Sequence, residues 1–518
     1  MANHITLAAM FFSSLLLLGC NQTADLKENV TFNNEAPYLT FPSQLSSNTP
    51  HDVDIALQHK LQGAGEFDQV QRLFEILAWQ NFVALNWPAD ASGMPLPSID
   101  DKGDPVWGQW KESYEVYQTD GSKPLPWGER TPPPDFKLAA SPAQRILFRT
   151  QRNALYGEAT VDDEINQAFT GPIWDQNGNM VRYEVLMNES EFTYLVANEL
   201  YNIDGQIEFS KQGKSLVFPM ATREKTGAIE LKFAWKIIDT EKDIPSRFFL
   251  QQAWVKDTNG EYSNALVGMV GMHISLKTVS SPQWIWATFE HVDNLEANPL
   301  LKTDGKPLQP LFYDADCQIC PVNVSPQLAG DYSQGNIKKN QIQRVLPITK
   351  ATQNLNTDVQ AVLAQNRSVL QYYQLIGTQW PTDPDAKPYP VQNHSANNPP
   401  TLPLAVTNKS GGKPTPVYLT NMVMETYFQG ATVTGKGEQF YNTEQGNIQA
   451  WHQIQGFKQY GTNTQRIFGT EGCVGCHYSA SIASGEKMDK GKRTGINNTP
   501  GSADFSWLLQ LKAHFKQQ

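Results

Sequence analysis

The chain has 518 residues, with 41 Lys and Arg against 52 Asp and Glu, for a formal net charge of −11 at pH 7. That acidic balance argues against a nucleic-acid partner, which would need basic patches, and the length suits two or three domains. Aromatic residues, Pro and Gly are plentiful, and no internal apolar run is long enough to span a bilayer.

At the N-terminus, Ile5 to Leu18 is an apolar run of signal-peptide length, too short for a mature membrane helix. It closes on Leu17-Leu18-Gly19-Cys20, which resembles the bacterial lipobox. The resemblance implies a signal peptide over residues 1–19 and Cys20 as the lipid-bearing N-terminus of the processed chain. Met1 to Thr6 departs from the pattern, carrying His4 but no Lys or Arg, so an ordinary secretory signal stays open. Both readings export the protein. Asn21, where Asp would be a retention signal, implies the periplasmic side of the outer membrane, held by more than one acyl chain. Residues 20–63 read as a polar tether with a short apolar patch at Tyr38 to Phe41.

Residues 64–380 read as one large α+β domain. Val70, Phe74, Leu77, Ala78 and Phe82 predict a helix over Glu66 to Leu85, ending at Asn86-Trp87-Pro88. Trp107, Trp110, Tyr114 and Tyr117 predict a second over Val106 to Tyr117, its aromatic stripe read as core rather than cofactor box. A third is predicted over Ser190 to Tyr201. The period then changes. Gln206 to Phe209, Ser215 to Pro219, Ala228 to Ile238, Phe248 to Lys256, Ala265 to Leu276 and Trp284 to His291 read as strands. Strands in succession without helices between them predict an antiparallel sheet or sandwich with flanking helices. From Thr352 to Leu375 the period is helical again.

Of the five cysteines, Cys317 and Cys320 sit in Asp314-Ala-Asp-Cys-Gln-Ile-Cys-Pro321. In an exported chain a disulfide closing a tight loop is the expectation. A redox dithiol lacks its strand-to-helix context, and a degenerate haem site lacks its His, since Pro321 stands there.

Pro381 to Pro403 is a Pro/Asn-rich connector, and residues 404–518 form the last region. Helices are predicted over Val417 to Gln429, Gly446 to Lys458 and Phe505 to Lys516. Between the last two lies Cys473-Val-Gly-Cys476-His477, the C-x-x-C-H pattern of c-type haem attachment. Two thiols at this spacing reach vinyl groups on neighbouring pyrroles, and the following His comes under the ring as the axial iron ligand. A zinc half-site, or a disulfide that happens to precede a His, is the competing reading, and the export signal argues for haem, one per chain and covalent. Only 41 residues follow His477. That is short for a free-standing small cytochrome c, so the haem region, small and α-helical, is expected to lean on the rest of the protein.

Trp79-Gln-Asn-Phe-Val-Ala-Leu-Asn-Trp87-Pro88, Val106-Trp-Gly-Gln-Trp-Lys111, Gly227-Ala-Ile-Glu-Leu-Lys232, Trp284-Ile-Trp-Ala-Thr-Phe-Glu-His-Val-Asp-Asn294 and Asp504-Phe-Ser-Trp-Leu-Leu509 resemble a family of exported bacterial cytochrome c proteins. The similarity runs from about Glu66 to the C-terminus. That family has no assigned reaction, so the resemblance implies haem binding through Cys473, Cys476 and His477, and no substrate.

The sixth iron ligand separates two function classes. Met488, in the polar run Glu486-Lys-Met-Asp-Lys, and Met424, before the motif, are candidates, as is His291. His273 also belongs to the sheet region and would reach the haem if the two regions pack face to face, whereas His514 is expected to be exposed. A strong second ligand makes an electron-transfer protein, serving a redox partner protein or a small-molecule donor or acceptor. An open distal face makes a haem enzyme of peroxidase-like or oxygen-using type, with Glu290, His291 and Arg466 as polar groups available to it.

Overall fold

The structure, a computed structural model, describes residues 39–133, 135–138, 144–148, 173–257, 260–298, 300–303, 305–314, 339–344, 348–381, 408–410, 413–415, 419–426, 473, 477, 480–499 and 501–517. Cys20, Cys317, Cys320, Cys476 and Arg466 lie outside them. So do the predicted signal peptide, the connector beyond Pro381 and the helix predicted over Gly446 to Lys458.

Helix α1 (Ile55–Ala64) is opened by Asp54, whose carboxylate accepts from the Leu57 amide at 3.0 Å, and closed by Gly65 at a φ of 79°. The later part of the expected tether is therefore structured, with Phe41, Leu57 and Leu61 in the main core. Helix α2 (Phe67–Leu85) buries Val70, Phe74, Leu77, Ala78 and Phe82, the spacing that predicted it. It stops ahead of Pro88, which disfavours helical backbone before it. The Asn86 amide there donates to the Phe82 carbonyl at 2.8 Å and accepts from Trp107 Nε1 at 3.1 Å.

Eight strands form one sheet: β1 (Lys111–Glu112), β2 (Arg145–Leu147), β3 (Arg182–Met187), β4 (Ile229–Ile237), β5 (Leu250–Lys256), β6 (Tyr262–Leu276), β7 (Ile285–His291) and β8 (Tyr373–Gln379). Their order is β8-β7-β6-β4-β3-β1, with β5 on β6 and β2 on β5. Every pairing is antiparallel except β2 with β5. The long β6 pairs with β5 over Tyr262 to Gly268 and with β7 over Gly271 to Leu276. The fold is α+β, and among the described residues it is built on one eight-stranded sheet rather than a sandwich. Among the described residues no helix is long and apolar enough to cross a membrane.

Four predicted segments of the large domain come out differently. Val106 to Tyr117 is a 3-10 turn (Val106–Gln109), then β1, then α3 (Ser113–Val116). Pairing of Lys111 and Glu112 with Met187 and Leu186 overrides the helical aromatic spacing. Gln206 to Phe209 lies inside α5 (Ile203–Lys211), because Asn202 caps the Gly205 amide at 2.7 Å and starts a helix. Ser215 to Pro219 belongs to no strand ladder and no helix. The helix expected over Thr352 to Leu375 is α6 (Lys350–Gln365), and Tyr373 onward is strand β8. The predicted Ser190 to Tyr201 helix is α4 (Glu189–Ala197).

Alternation along the strands gives the sheet two unlike faces. On the first, Leu231, Phe233, Met272, Ile274, Phe289 and Leu375 meet α2 and α6 in the main core. Phe82 stacks on Phe289 at 4.1 Å, and Trp79 Nε1 donates to Asn356 Oδ1 at 3.0 Å. Each fully buried side chain of this size contributes roughly 1.5–3 kcal/mol.

The second face carries Val185 and Met187, Glu230 and Lys232, Gly271, His273 and Ser275, and Trp286, Thr288 and Glu290. It is covered by α4, α5, the turn Asn421 to Thr426 and the C-terminal segment, whose Ala480, Ile482, Phe505, Leu508 and Leu509 pack with Val185, Met187 and Trp286. That segment contains the hairpin β9 (Ala483–Asp489) and β10 (Lys492–Asn497), and a short helix α7 (Leu508–Lys512) in place of the longer one predicted over Phe505 to Lys516.

Two carboxyls meet beneath this cover. Glu191 on α4 is fully buried against Glu230 of β4. Burial first, then the neighbouring Glu230, drives the Glu191 pKa well above the carboxylate range, so the pair retains a proton. The folded state binds more protons than the unfolded chain once pH exceeds the usual carboxylate range, so stability falls as pH rises. Urea titrations should show a midpoint that drops as pH rises above the usual carboxylate range. Glu191→Gln, which mimics the protonated form, should flatten that drop.

Candidate functional site

Trp286 stands on the second face, and the imidazole of His477 lies against it with ring centroids 4.3 Å apart and planes inclined by 46°. His477 and Cys473 both have helical backbone and are half-buried. His477 Nδ1 donates to the Phe505 carbonyl at 2.8 Å, which leaves Nε2 as the lone-pair nitrogen. A ring with one N–H tied to a carbonyl and the other nitrogen bare is the arrangement of a metal-ligating histidine. Burial drops the His477 pKa to about 4, so the ring is neutral at ordinary pH, as a ligand must be.

The Phe505 carbonyl is held at a cost in backbone strain. Asp504 and Phe505 have φ of 48° and 72°, and Trp284, which contacts them, has 67°. Bulky residues rarely adopt this left-handed region. What fixes it is a buried set of bonds around Asp504. Lys277 Nζ donates to both carboxylate oxygens at 2.5 and 2.7 Å, the Phe218 amide donates at 2.7 Å, and Trp284 Nε1 donates to the Asp504 carbonyl at 2.9 Å. Burial raises the Asp504 pKa to about 6 against the opposing pull of Lys277. Three strained residues thus converge on the strut that aims His477.

Cys473 packs against two apolar groups, one containing Trp286 and Phe505, the other Ile348, Ile376 and Leu419. Beside them a polar row crosses the sheet, Lys232 on β4 opposite His273 on β6, and His273 opposite Thr288 on β7. The turn Asn421 to Thr426 is sewn to this row. Asn421 Nδ2 donates to Thr288 Oγ1 at 2.8 Å and to the Phe289 carbonyl at 3.0 Å. The Met422 amide donates to Glu290 Oε1 at 2.7 Å, and Glu290 also pairs with Arg344. Tyr183 donates to the Val423 carbonyl at 2.7 Å. Gly271 makes the close approach possible, since a Cβ there would lie 2.8 Å from Val423 Cγ2. Glu425 reaches from the turn to His273 Nε2 at 2.8 Å, and after the opposing effect of burial this histidine is what holds its pKa low.

The other predicted site residues are dispersed. His291 faces the opposite way from Trp286 and stacks on Phe248 at 4.4 Å. Its Nε2 donates to the Arg247 carbonyl at 2.9 Å and its Nδ1 accepts from the Asp293 amide at 3.1 Å. Both nitrogens are committed, so His291 is a structural residue here and not an available iron ligand. Met488 is 68% exposed near the tip of the β9–β10 hairpin. Met424 is buried in a cluster with Tyr183, Val270 and Phe312. The predicted helix around it is a turn over the described residues. His514 is exposed beyond the end of α7. Trp286, the Phe505 carbonyl and Glu425 escape sequence reasoning, because each acts on a histidine far away in the chain. No group of three or more His, Cys, Asp or Glu placed to hold a metal ion occurs among the described residues. In comparisons with known proteins, no family model, no curated protein and no solved structure matches this chain.

Proposed function

We propose that the chain is an exported mono-haem c-type cytochrome acting in electron transfer, with haem attached at Cys473 and Cys476 and His477 as an axial ligand. The observation that carries the reading is His477 itself. It follows Cys473-Val-Gly-Cys476 directly in the chain, and its Nδ1–H is fixed to the Phe505 carbonyl while Nε2 stays bare. A bound haem would supply one-electron chemistry. The protein's own contribution is to orient the imidazole through the strained Asp504–Phe505 strut, to keep it neutral by burial, and to offer apolar walls at Trp286, Ile348, Ile376 and Leu419. The described C-terminal residues lean on the sheet, which supports a haem region completed by the second face rather than one standing alone. We read Cys20 as the lipid anchor on the periplasmic side of the outer membrane, and the partner as a redox protein or small donor or acceptor.

Two variants test this in protein matured by a c-type cytochrome assembly system. Cys473→Ala with Cys476→Ala should abolish haem staining on a denaturing gel, and His477→Ala should leave low or spectrally altered haem. Covalent haem surviving the double change would overturn the reading. Carbon monoxide binding to the ferrous wild-type protein would favour the haem-enzyme alternative instead.

A further inference from the structure

Six of the histidines are among the described residues. His51, His59 and His514 are exposed, and His291 has both nitrogens committed on the other side of the sheet. His273 alone shares the second face with the His477–Trp286 contact. Its partner on β7 is Thr288, one face position along from Trp286, which lies opposite Ser275. Adjacent positions on one face are about 7 Å apart.

The two rings are also held alike. His477 ties one N–H to the Phe505 carbonyl, and His273 ties its Nε2–H to the Glu425 carboxylate, leaving Nδ1 with no hydrogen bond among the described residues. Metal-bound imidazoles show this pattern, in which the outer partner sets the tautomer and raises ligand basicity. Glu425 is itself fixed, accepting from the Asn421 amide at 2.8 Å in the turn sewn to the sheet. His273 is therefore oriented in advance and not merely polar.

We propose that His273 is the second axial ligand of the iron held by His477, and that Glu425 is its positioning residue. The inference rests on the haem reading above and adds to it the identity of the sixth ligand. It makes the haem bis-histidine and closed to exogenous ligands, which suits electron transfer over peroxide or oxygen chemistry.

The test compares absorption and electron paramagnetic resonance spectra of matured wild type, His273→Ala, His273→Met and Glu425→Gln, alongside haem staining. Wild type should be low-spin, inert to carbon monoxide and without an iron–thioether band. His273→Ala should keep covalent haem, become high-spin and bind carbon monoxide, and added imidazole should restore the low-spin spectrum. His273→Met should introduce the iron–thioether band and raise the midpoint potential, an informative outcome even if the Ala variant fails to fold. Glu425→Gln should stay low-spin with a raised potential, since the carboxylate no longer strengthens the ligand. A high-spin wild type, or a His273→Ala protein still low-spin and inert, overturns the proposal. Absence of covalent haem from wild type instead defeats the haem reading itself.

Discussion

Replacing Lys236 by Ala should lower the free energy of unfolding by about 3–5 kcal/mol, the cost of stranding buried charge. Lys236 is 1% exposed, and its ammonium lies 3.1 Å from Asp175 Oδ2 and 2.6 Å from Asp243 Oδ2, both carboxylates also buried. Burial alone pushes the Asp175 pKa up, and Lys236 is the largest influence drawing it back. With the ammonium gone, the two carboxylates face each other in a low-dielectric pocket. Asp175 still accepts from the Asn177 and Asn179 amides at 3.0 and 2.8 Å, which orient it but cannot neutralise it. Lys236→Met should lose nearly as much, because its stem restores packing and not charge. Adding Asp175→Asn to Lys236→Met should recover a large part. Urea midpoints at neutral pH read all three, and an Ala variant within about 1 kcal/mol of wild type would show that the triad is weakly coupled to folding.

Gly205→Ala should cost on the order of 3 kcal/mol, at the upper end of overpacking. An added Cβ would sit 1.9 Å from the Glu199 carbonyl oxygen and 2.8 Å from its carbon. Neither is the end of a side chain that can swing away, and Glu199 already has a φ of 53°. Relief requires α5 to move. Gln206 on that helix donates to the Leu509 carbonyl at 2.9 Å and accepts from the Ala483 amide at 3.0 Å, so the shift would carry the C-terminal segment and the Phe505 strut with it. Gly63, on α1 with nothing within 4 Å of an added Cβ, is the control. Gly63→Ala should stabilise by about 0.5–1 kcal/mol through helix propensity alone. Thermal or urea unfolding of the pair separates backbone clash from glycine substitution in general.

What the sequence disclosed follows how local each signal was. Helix α2 and strands β4 to β7 were legible because their apolar period runs for many residues. Strand β3 was not, because Arg182 to Met187 alternates only over Arg-Tyr-Glu-Val before running on into Leu186 and Met187, too short a pattern to stand out. Strand β8 was hidden in the tail of a helical pattern, where pairing with β7 wins over spacing. At the candidate site, the C-x-x-C-H register named His477, and nothing local named Trp286 or the Phe505 carbonyl. A backbone carbonyl carries no sequence signature, and the strain that aims it appears only as dihedral angles. His291 was attractive for its setting beside Glu290, yet strand alternation sends these neighbours to opposite faces.

Much of the cover of the second face comes from chain made after the sheet, the turn at Asn421 to Thr426 and the described residues from Cys473 onward. During synthesis the sheet is complete once Tyr373–Gln379 has emerged, while one side still lacks its lid. An apolar sheet left bare for that interval would be a template for aggregation. This one interleaves Glu230, Lys232, His273, Thr288 and Glu290 with the apolar Val185, Met187 and Trp286, so the uncovered surface is broken up by polar groups while it waits. The groups that find buried partners in the finished fold are of the kind that act as gatekeepers against sticking of a half-built chain to its neighbours.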